Sequence, residues 1–207
     1  RLAERPEIRY VLPFENRGVE VGVTLHHPHG QIYAYPFVPS VPAQFGASER
    51  EHYGRHGTPL LQSLLRRELE HAGRILYRGE HAVAFVPAWA RYTYEVWVAP
   101  LLQVARLDQL SSAQVDDLAR AFKTVLLKYD GLWSRPFPYI MHWYQAPTDG
   151  DAHLEAHLHA EFYPAYRAPG RLKYLAGTEI AAGMFANDAL PEDKARELRE
   201  VRVEIEP

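Results

Sequence analysis

The chain has 207 residues, of which 47% are hydrophobic and 24% charged, a globular composition sufficient for one large domain or two small ones. A formal net charge of −3 argues against nucleic acid or anionic lipid as a partner, and the absence of cysteine excludes disulfides and thiolate-based metal sites or catalysis. No apolar run approaches membrane-spanning length and no signal-peptide pattern is present, so we expect a cytoplasmic protein without membrane association.

Two short strands are predicted at the beginning of the chain. Residues 7–14 and 19–25 alternate apolar and polar side chains, and the letters ENRG between them are typical of a turn, so the pattern predicts a hairpin. Residues 36–58 are predicted to cross the surface as a loop. We place a boundary at its end, which divides the chain into parts 1–57 and 58–207.

The second part is predicted to combine strands and helices. One helix begins after Thr58 and Pro59 and ends near Gly73, with leucines at helical spacing along one face. Ser111 and Gln114 form a capping box at the start of another helix. The remaining predicted elements are strands at 74–78, 81–87, 93–99, 138–145 and 152–163, and a polar helix that starts near Pro191.

Three histidines follow the second predicted strand. His26, His27 and His29 precede Gly30 and Gln31. Imidazole is neutral and nucleophilic near pH 7, and its attack on phosphorus divides one difficult displacement into two easier ones. The attacking ring needs an acceptor for its other nitrogen, which a local carbonyl could supply, while the glycine admits phosphate and the amide donates to a phosphate oxygen. The stretch fits nucleotidyl transfer, although spacing alone favours a solvated polar segment at least equally.

A faint repeat relates the two parts. TLHHPHGQIYAYP and EAHLHAEFYPAY both place His-x-His at the end of a predicted strand, before a small residue and an aromatic-proline element. The second copy follows several strands and a helix, whereas only two strands separate the first copy from Arg1. We therefore expect the first half to be incomplete and a further N-terminal portion to precede it.

Five segments carry a more specific signal, namely FENRG, TLHHPHGQIYAYP, RILYRGEHAVAFVPAWARYTYEVWVAP, HLHAEFYP and KYLAGTE. Together they resemble roughly the C-terminal two thirds of the galactose-1-phosphate uridylyltransferase family, a branch of the histidine triad superfamily. The resemblance implies an α+β fold of two histidine-triad-like halves with mostly antiparallel sheets. It also implies exchange of a uridylyl group between UDP-glucose and galactose 1-phosphate in galactose metabolism, within a homodimer whose active sites combine both subunits.

The resemblance also implies roles for individual residues. His29 falls on the nucleophile, which carries the uridylyl group covalently between the two halves of a ping-pong reaction. Gln31 falls on the glutamine that contacts phosphate, Asn16 on the asparagine near the nucleotide phosphates, and Thr24 on a small hydroxyl position.

Three further residues match family positions that act together with a second subunit or with an N-terminal portion of the protein. Lys173 and Glu179 align with hexose-contacting residues that the partner subunit donates. His27 matches a residue that completes a zinc site in some members. The other ligands of that site belong to the N-terminal portion, so the zinc ligand set is incomplete here.

A second, structural metal site in some family members uses His-x-His in the last long predicted strand. This sequence offers His159 and Glu161 there, with Tyr144 and Phe45 in place of the other two ligands, and His142 as a possible substitute. Strand alternation is predicted to align one face of ionisable side chains, which are His153, Glu155, His157, His159 and Glu161. Imidazole and carboxylate suit a metal, but a hydrogen-bonded polar ladder is slightly favoured.

Two other functions stay open at this point. One is an enzyme of the same superfamily that uses adenine nucleotides, or passes the nucleotidyl group to phosphate or water. The other is a binding or scaffold fragment without catalysis. The intact HPHGQ motif favours an enzyme, because a scaffold does not require it.

Overall fold

The computed structural model describes residues 2–25 and 27–205; Arg1 and His26, both discussed above, lie outside the described residues. The strands are β1 (Tyr10–Arg17), β2 (Gly30–Tyr35), β3 (Ile75–Arg78), β4 (Ala82–Phe85), β5 (Val96–Pro100), β6 (Tyr139–Tyr144), β7 (His159–Pro164), β8 (Tyr166–Ala168) and β9 (Arg171–Leu172). The helices are α1 (Ser40–His56), α2 (Leu60–His71), α3 (Ser112–Leu132), α4 (Gly177–Ala182) and α5 (Pro191–Glu200).

Seven strands form one antiparallel sheet in the order β2-β1-β6-β7-β5-β4-β3. The first two strands join the others through the β1–β6 pair, in which Phe14 is opposite His142. Strands β8 and β9 form a separate small ribbon. The α+β class with a mostly antiparallel sheet is confirmed, whereas the division into 1–57 and 58–207 stays a prediction.

Helices cover both faces of the sheet. On one face, Leu61 and Leu65 of α2 pack on Phe85 and Trp97, with Phe45 of α1 at the edge of the same cluster. On the other face, α3 and α5 pack on alternate residues of the central strands and form the larger core. Because side chains alternate along a strand, each central strand contributes to both layers.

Three sequence-based assignments are confirmed by the helices. Helix α2 begins directly after Pro59, and α5 begins at Pro191. Helix α3 has the predicted capping box: the Ser111 hydroxyl accepts from the Gln114 amide at 3.3 Å, and the Gln114 side chain accepts from the Ser111 amide at 2.9 Å.

The predicted hairpin between residues 7–14 and 19–25 is wrong. After β1 the chain turns at Gly18 and Gly22, whose φ angles are 102° and 84°, and residues Val19–Val21 between them form a 3₁₀ helix. Such positive φ values interrupt a strand, so the alternating valines form no ladder there. The hairpin partner of β1 is β2, with Glu15 opposite Gly30.

Two further assignments are wrong. The predicted loop over 36–58 contains α1, which the pattern missed because the faces of this helix differ little in polarity. Pro42 does not prevent the helix, because it lies in the first turn, where a missing amide costs no helical hydrogen bond. The strand predicted over 152–163 begins only at His159. His153 has a φ of 46°, which is incompatible with a strand, so the predicted single face of five ionisable groups is not formed.

Among residues 2–25 and 27–205, no helix has both the length and the apolar character needed to cross a bilayer.

Candidate active site

His29 lies immediately before β2, at the edge of the sheet. Its Nδ1 atom is 2.9 Å from the backbone carbonyl oxygen of His27. A carbonyl oxygen only accepts, so this hydrogen bond places the ring proton on Nδ1 and leaves the lone pair on Nε2. The local carbonyl expected from the sequence is therefore present, and Nε2 is the nitrogen able to attack an electrophile.

His29 also lines a cavity of about 500 Å³, which is a size typical of small-molecule sites. Asn16 and Arg17, from the end of β1, lie along the same cavity, with Tyr139 of β6 beside them. The Arg17 guanidinium donates to Asp130 Oδ2 at 2.9 Å, and this bond fixes a cation at the cavity that His29 also lines. Cation, amide and imidazole are groups that together can bind a phosphate.

Arg17 was not assigned a role from the sequence. The available signal was its position directly after Asn16 in the FENRG segment, because adjacent residues at a strand end reach the same opening. Its fixed position depends on Asp130 at the C-terminal end of α3, more than a hundred residues away, which no local pattern indicates.

Thr24 and Gln31 flank the histidine segment without lining this cavity. Thr24 is exposed in the connection between Gly22 and His27, and Gln31 is the second residue of β2, where it is opposite Phe14. Both are within a few residues of His29 along the chain, but neither lines its cavity, so their phosphate contacts stay a prediction.

Lys173 and Glu179 lie in a different region, after the β8–β9 ribbon. Lys173 Nζ is 3.8 Å from Glu179 Oε1 and donates to the Ala186 carbonyl. Hydrogen bonds to the Glu179 carboxylate, first of all from the Ala186 amide, lower the pKa of this residue. Neither residue lines the His29 cavity, so within one chain the structure does not bring the predicted hexose contacts to His29.

The second His-x-His segment repeats the geometry of the first. His159 Nδ1 lies 2.8 Å from the carbonyl oxygen of His157, and His159 is the first residue of β7 just as Gly30, one residue after His29, is the first of β2. Here, however, Nε2 is 3.2 Å from Glu161 Oε1 and the imidazole is fully buried. The repeat seen in the sequence is therefore real in three dimensions, but its second imidazole is closed to ligands.

Comparison with known proteins agrees with this geometry. The family model described as galactose-1-phosphate uridyl transferase, C-terminal domain, matches residues 45–206, and the N-terminal domain model of that family matches residues 1–39. The chain belongs to this uridyl transferase family.

Individual relatives show how much of the family the chain represents. Galactose-1-phosphate uridylyltransferase of Thermotoga maritima is 39% identical over 99% of this chain and 64% of that protein. A solved uridylyltransferase structure superposes with a TM-score of 0.90 at 34% identity, over 97% of this chain and 62% of that one. A solved ADP-glucose phosphorylase from Arabidopsis thaliana shares the fold, with a TM-score of 0.84 at 24% identity over 98% of this chain and 62% of that one. The chain thus spans less than two thirds of the length of these relatives.

In this chain, other residues replace some of the ligands at the second metal position of the uridyl transferase family. Phe45, Tyr144, His159 and Glu161 do meet, as the resemblance implied: the Phe45 ring is 5.6 Å from that of Tyr144 and 5.3 Å from that of His159. The Phe45 ring offers no metal ligand, and burial raises the pKa of the Tyr144 hydroxyl, which disfavours the phenolate that would bind an ion. His142 Nε2 is 3.6 Å from Glu161 Oε2, but the ligand atoms of His142, His159 and Glu161 do not converge as a metal requires. The residues present do not fit the ion.

Among the described residues, the ligand atoms of Asp149, Asp151 and His153 do converge within 4.8 Å of one another. His153 already uses both ring nitrogens in contacts with Asp149 and Glu155, at 2.7 and 3.1 Å. This group lies outside the family's metal positions named above, and it adds no ligand to His27.

Proposed function

We propose that the protein transfers a uridylyl group between UDP-glucose and galactose 1-phosphate, with His29 Nε2 as the nucleophile. The observation that carries this proposal is the hydrogen bond from His29 Nδ1 to the His27 carbonyl, which directs the lone pair of Nε2 away from the backbone. Family membership supports the choice of substrates, because the relatives that match over most of this chain are uridylyltransferases.

The proposed first half-reaction takes place at the α-phosphorus of UDP-glucose. His29 Nε2 forms a P–N bond, the bond from phosphorus to the glucose 1-phosphate oxygen breaks, and glucose 1-phosphate leaves as a dianionic phosphate. The Nδ1–H bond to the His27 carbonyl stabilises the positive charge that the ring gains. Amide and hydroxyl donors from Asn16, Thr24 and Gln31 are assigned to the phosphate oxygens.

The second half-reaction reverses the first with a different sugar. An oxygen of galactose 1-phosphate attacks the same phosphorus, the P–N bond breaks, and UDP-galactose is released with His29 regenerated. No separate base is needed, because the attacking phosphate is already ionised at neutral pH. The reaction is therefore a double displacement through one covalent intermediate.

The hexose contacts are assigned to a partner subunit. Lys173 and Glu179 do not line the His29 cavity of their own chain, and the segment around them exposes large apolar side chains: Tyr174 is 79%, Ile180 74% and Met184 68% exposed. Apolar surface of this kind is typical of an interface between subunits. We therefore propose a homodimer in which this segment completes the neighbouring active site.

Zinc has no step in this mechanism. Of the ligands implied for the first metal site, this chain supplies only His27, whose ring centroid is 5.4 Å from that of His29. Zinc would be held by His27 together with residues outside this sequence. A cytoplasmic location completes the proposal, as expected for an enzyme that uses nucleotide sugars.

Intact-mass analysis of the complete natural protein tests the proposed activity. Incubation with UDP-glucose, without acceptor, is expected to add one acid-labile uridylyl group, and galactose 1-phosphate is expected to remove it. ADP-glucose serves as the matched control for the adenine alternative. Labelling by ADP-glucose alone would reject the uridylyl reaction, and labelling by neither compound would reject covalent catalysis.

A further inference from the structure

A cation supplied by the protein itself contacts Glu161, one of the residues at the family's second metal position. We propose that the Arg91 guanidinium takes the structural place of the metal ion, holding Glu161 and the adjoining strands together without any metal. This inference is independent of the proposed uridylyl transfer, since the cluster is closed to substrate and concerns how the sheet is held together.

Arg91 contacts the buried carboxylate directly. Its Nη2 donates to Glu161 Oε2 at 2.8 Å and also contacts the Tyr163 hydroxyl, which in turn donates to the same carboxylate. The guanidinium carbon lies 4.7 Å from the centre of the Tyr163 ring, within cation–π distance. The Glu161 side chain is 1% and the Arg91 side chain 32% exposed, so water screens this ion pair from the arginine side only.

Arg91 is itself held by a second buried carboxylate. Its backbone amide donates to Glu95 Oε2 at 2.7 Å, and its Nη2 is 3.8 Å from Glu95 Oε1. Glu95 also accepts from the Trp97 indole at 2.8 Å. One guanidinium therefore bridges two buried acids from β7 and from the segment before β5, which is the cross-linking role a metal ion has in such a position.

Aromatic rings pack around the rest of the His159 imidazole. The Trp97 indole stacks on the imidazole at 4.7 Å with an interplanar angle of 17°, and the Phe45 and Tyr144 rings lie at 5.3 and 5.4 Å. An ion at His159 Nε2 could also reach the Glu161 oxygen 3.2 Å away, but the Trp97 and Phe45 rings would supply it no ligand.

Charge gives a further reason for excluding an ion. A divalent cation bound to Glu161 would share that carboxylate with a permanently charged guanidinium 2.8 Å from Oε2. Two cations on one buried carboxylate repel strongly at low dielectric. The arginine and a metal are therefore alternative partners for Glu161.

The test measures metal content and melting temperature in the complete natural protein and its variants. Arg91→Met is expected to lower Tm by about 5 to 10 °C, because it leaves buried carboxylates without their cation. Arg91→Lys, which keeps the charge but loses the planar fork, is expected to recover part of that loss. The control is Arg167→Met, which removes an exposed arginine 3.5 Å from Asp188 and is expected to change Tm by ~1 °C or less.

The reverse experiment rebuilds the ion site. A variant combining Phe45→Glu, Tyr144→His, Glu161→His and Arg91→Ala is expected to bind about one divalent ion more per chain than the parent protein, and chelation of that ion is expected to lower its Tm. The proposal is overturned if the parent protein loses one equivalent of metal on Glu161→Gln substitution. It is equally overturned if Arg91→Met leaves Tm unchanged.

Discussion

His29 and His159 orient their imidazole rings in the same way, each through a hydrogen bond from Nδ1 to the carbonyl oxygen two residues earlier, at 2.9 and 2.8 Å. The two rings differ in what Nε2 meets. At His29 this nitrogen belongs to a ring that lines a cavity, whereas at His159 it faces Glu161 at 3.2 Å beneath a layer of aromatic rings. The same ring orientation thus occurs once beside a cavity and once in a buried cluster.

Substituting each of the two histidines separately should distinguish their roles. His29→Gln is expected to abolish the uridylyl adduct with little effect on Tm, because the ring is only partly buried. His159→Gln is expected to lower Tm by about 5 °C or more while adduct formation continues in the folded fraction, since it disturbs a fully buried stacked ring. Intact mass and thermal unfolding are the two measurements, and adduct loss in His159→Gln but not in His29→Gln would reverse the assignment.

Gln31 and Glu161 follow the two histidines at the same spacing, which suggests an informative substitution. Gln31→Glu is expected to slow adduct formation more than Gln31→Ala, because a carboxylate repels the substrate phosphates whereas alanine only removes a donor. The expected losses are about 10²-fold for alanine and at least tenfold more for glutamate. Rapid-quench labelling with UDP-glucose measures both, and equal rates for the two variants would contradict a phosphate contact at this position.

Gly18 is expected to tolerate no side chain. Its φ of 102° and ψ of 147° belong to a region that is open essentially to glycine, and an added Cβ would lie 2.6 Å from Pro138 Cβ. Gly18→Ala should therefore cost about 3 kcal/mol or more in the free energy of unfolding. The matched control is Gly22→Ala, where φ is 84° and nothing lies within 4 Å of the added atom, so only about 1 kcal/mol of backbone strain is expected. Urea denaturation compares the two, and equal costs would show that Pro138 exerts no steric restraint.

Glu49 is expected to make stability depend on pH. Burial raises the pKa of this carboxyl from 4.5 to about 7, although the His157 amide donates to it at 3.3 Å. Between these two pH values the folded chain holds a proton that the unfolded chain has lost. Stability from this group is therefore full below pH 4.5 and is lost as the pH rises through about 7.

The corresponding variant is Glu49→Gln, which cannot ionise. The difference in unfolding free energy between the parent protein and this variant should change by about 3 kcal/mol between pH 4.5 and 7. The parent protein becomes less stable relative to the variant as the pH rises. Glu51→Gln, an exposed substitution on the same helix, is the control for loss of charge from α1. Parallel pH profiles for the parent protein and Glu49→Gln would show that burial does not perturb this carboxyl.

Local patterns predicted the elements in which side-chain periodicity and capping residues agree. The α3 capping box at Ser111 and the start of α2 after Pro59 depend only on neighbouring residues, and both were found as predicted. Helix α1 was missed because its sequence has no apolar stripe, so only the contacts of Phe45 with His159 and of Glu49 with His157 reveal which side is inside. The strand predicted over 19–25 failed because two glycines with positive φ turn the chain, a backbone property that alternation of valines does not report.

The sequence by itself determined the group on which the proposed chemistry depends: the HPHGQ segment contains the His29 imidazole and, two residues earlier, the His27 carbonyl that orients it. Tertiary structure alone decided which imidazole is accessible and which cation meets Glu161. These outcomes depend on the pairing of β6, β7 and β5 and on the placement of α1, which bring Phe45, Arg91, Trp97 and Tyr144 around His159 and Glu161. Contacts between residues so distant in sequence follow from burial of the whole sheet, and no local motif encodes them.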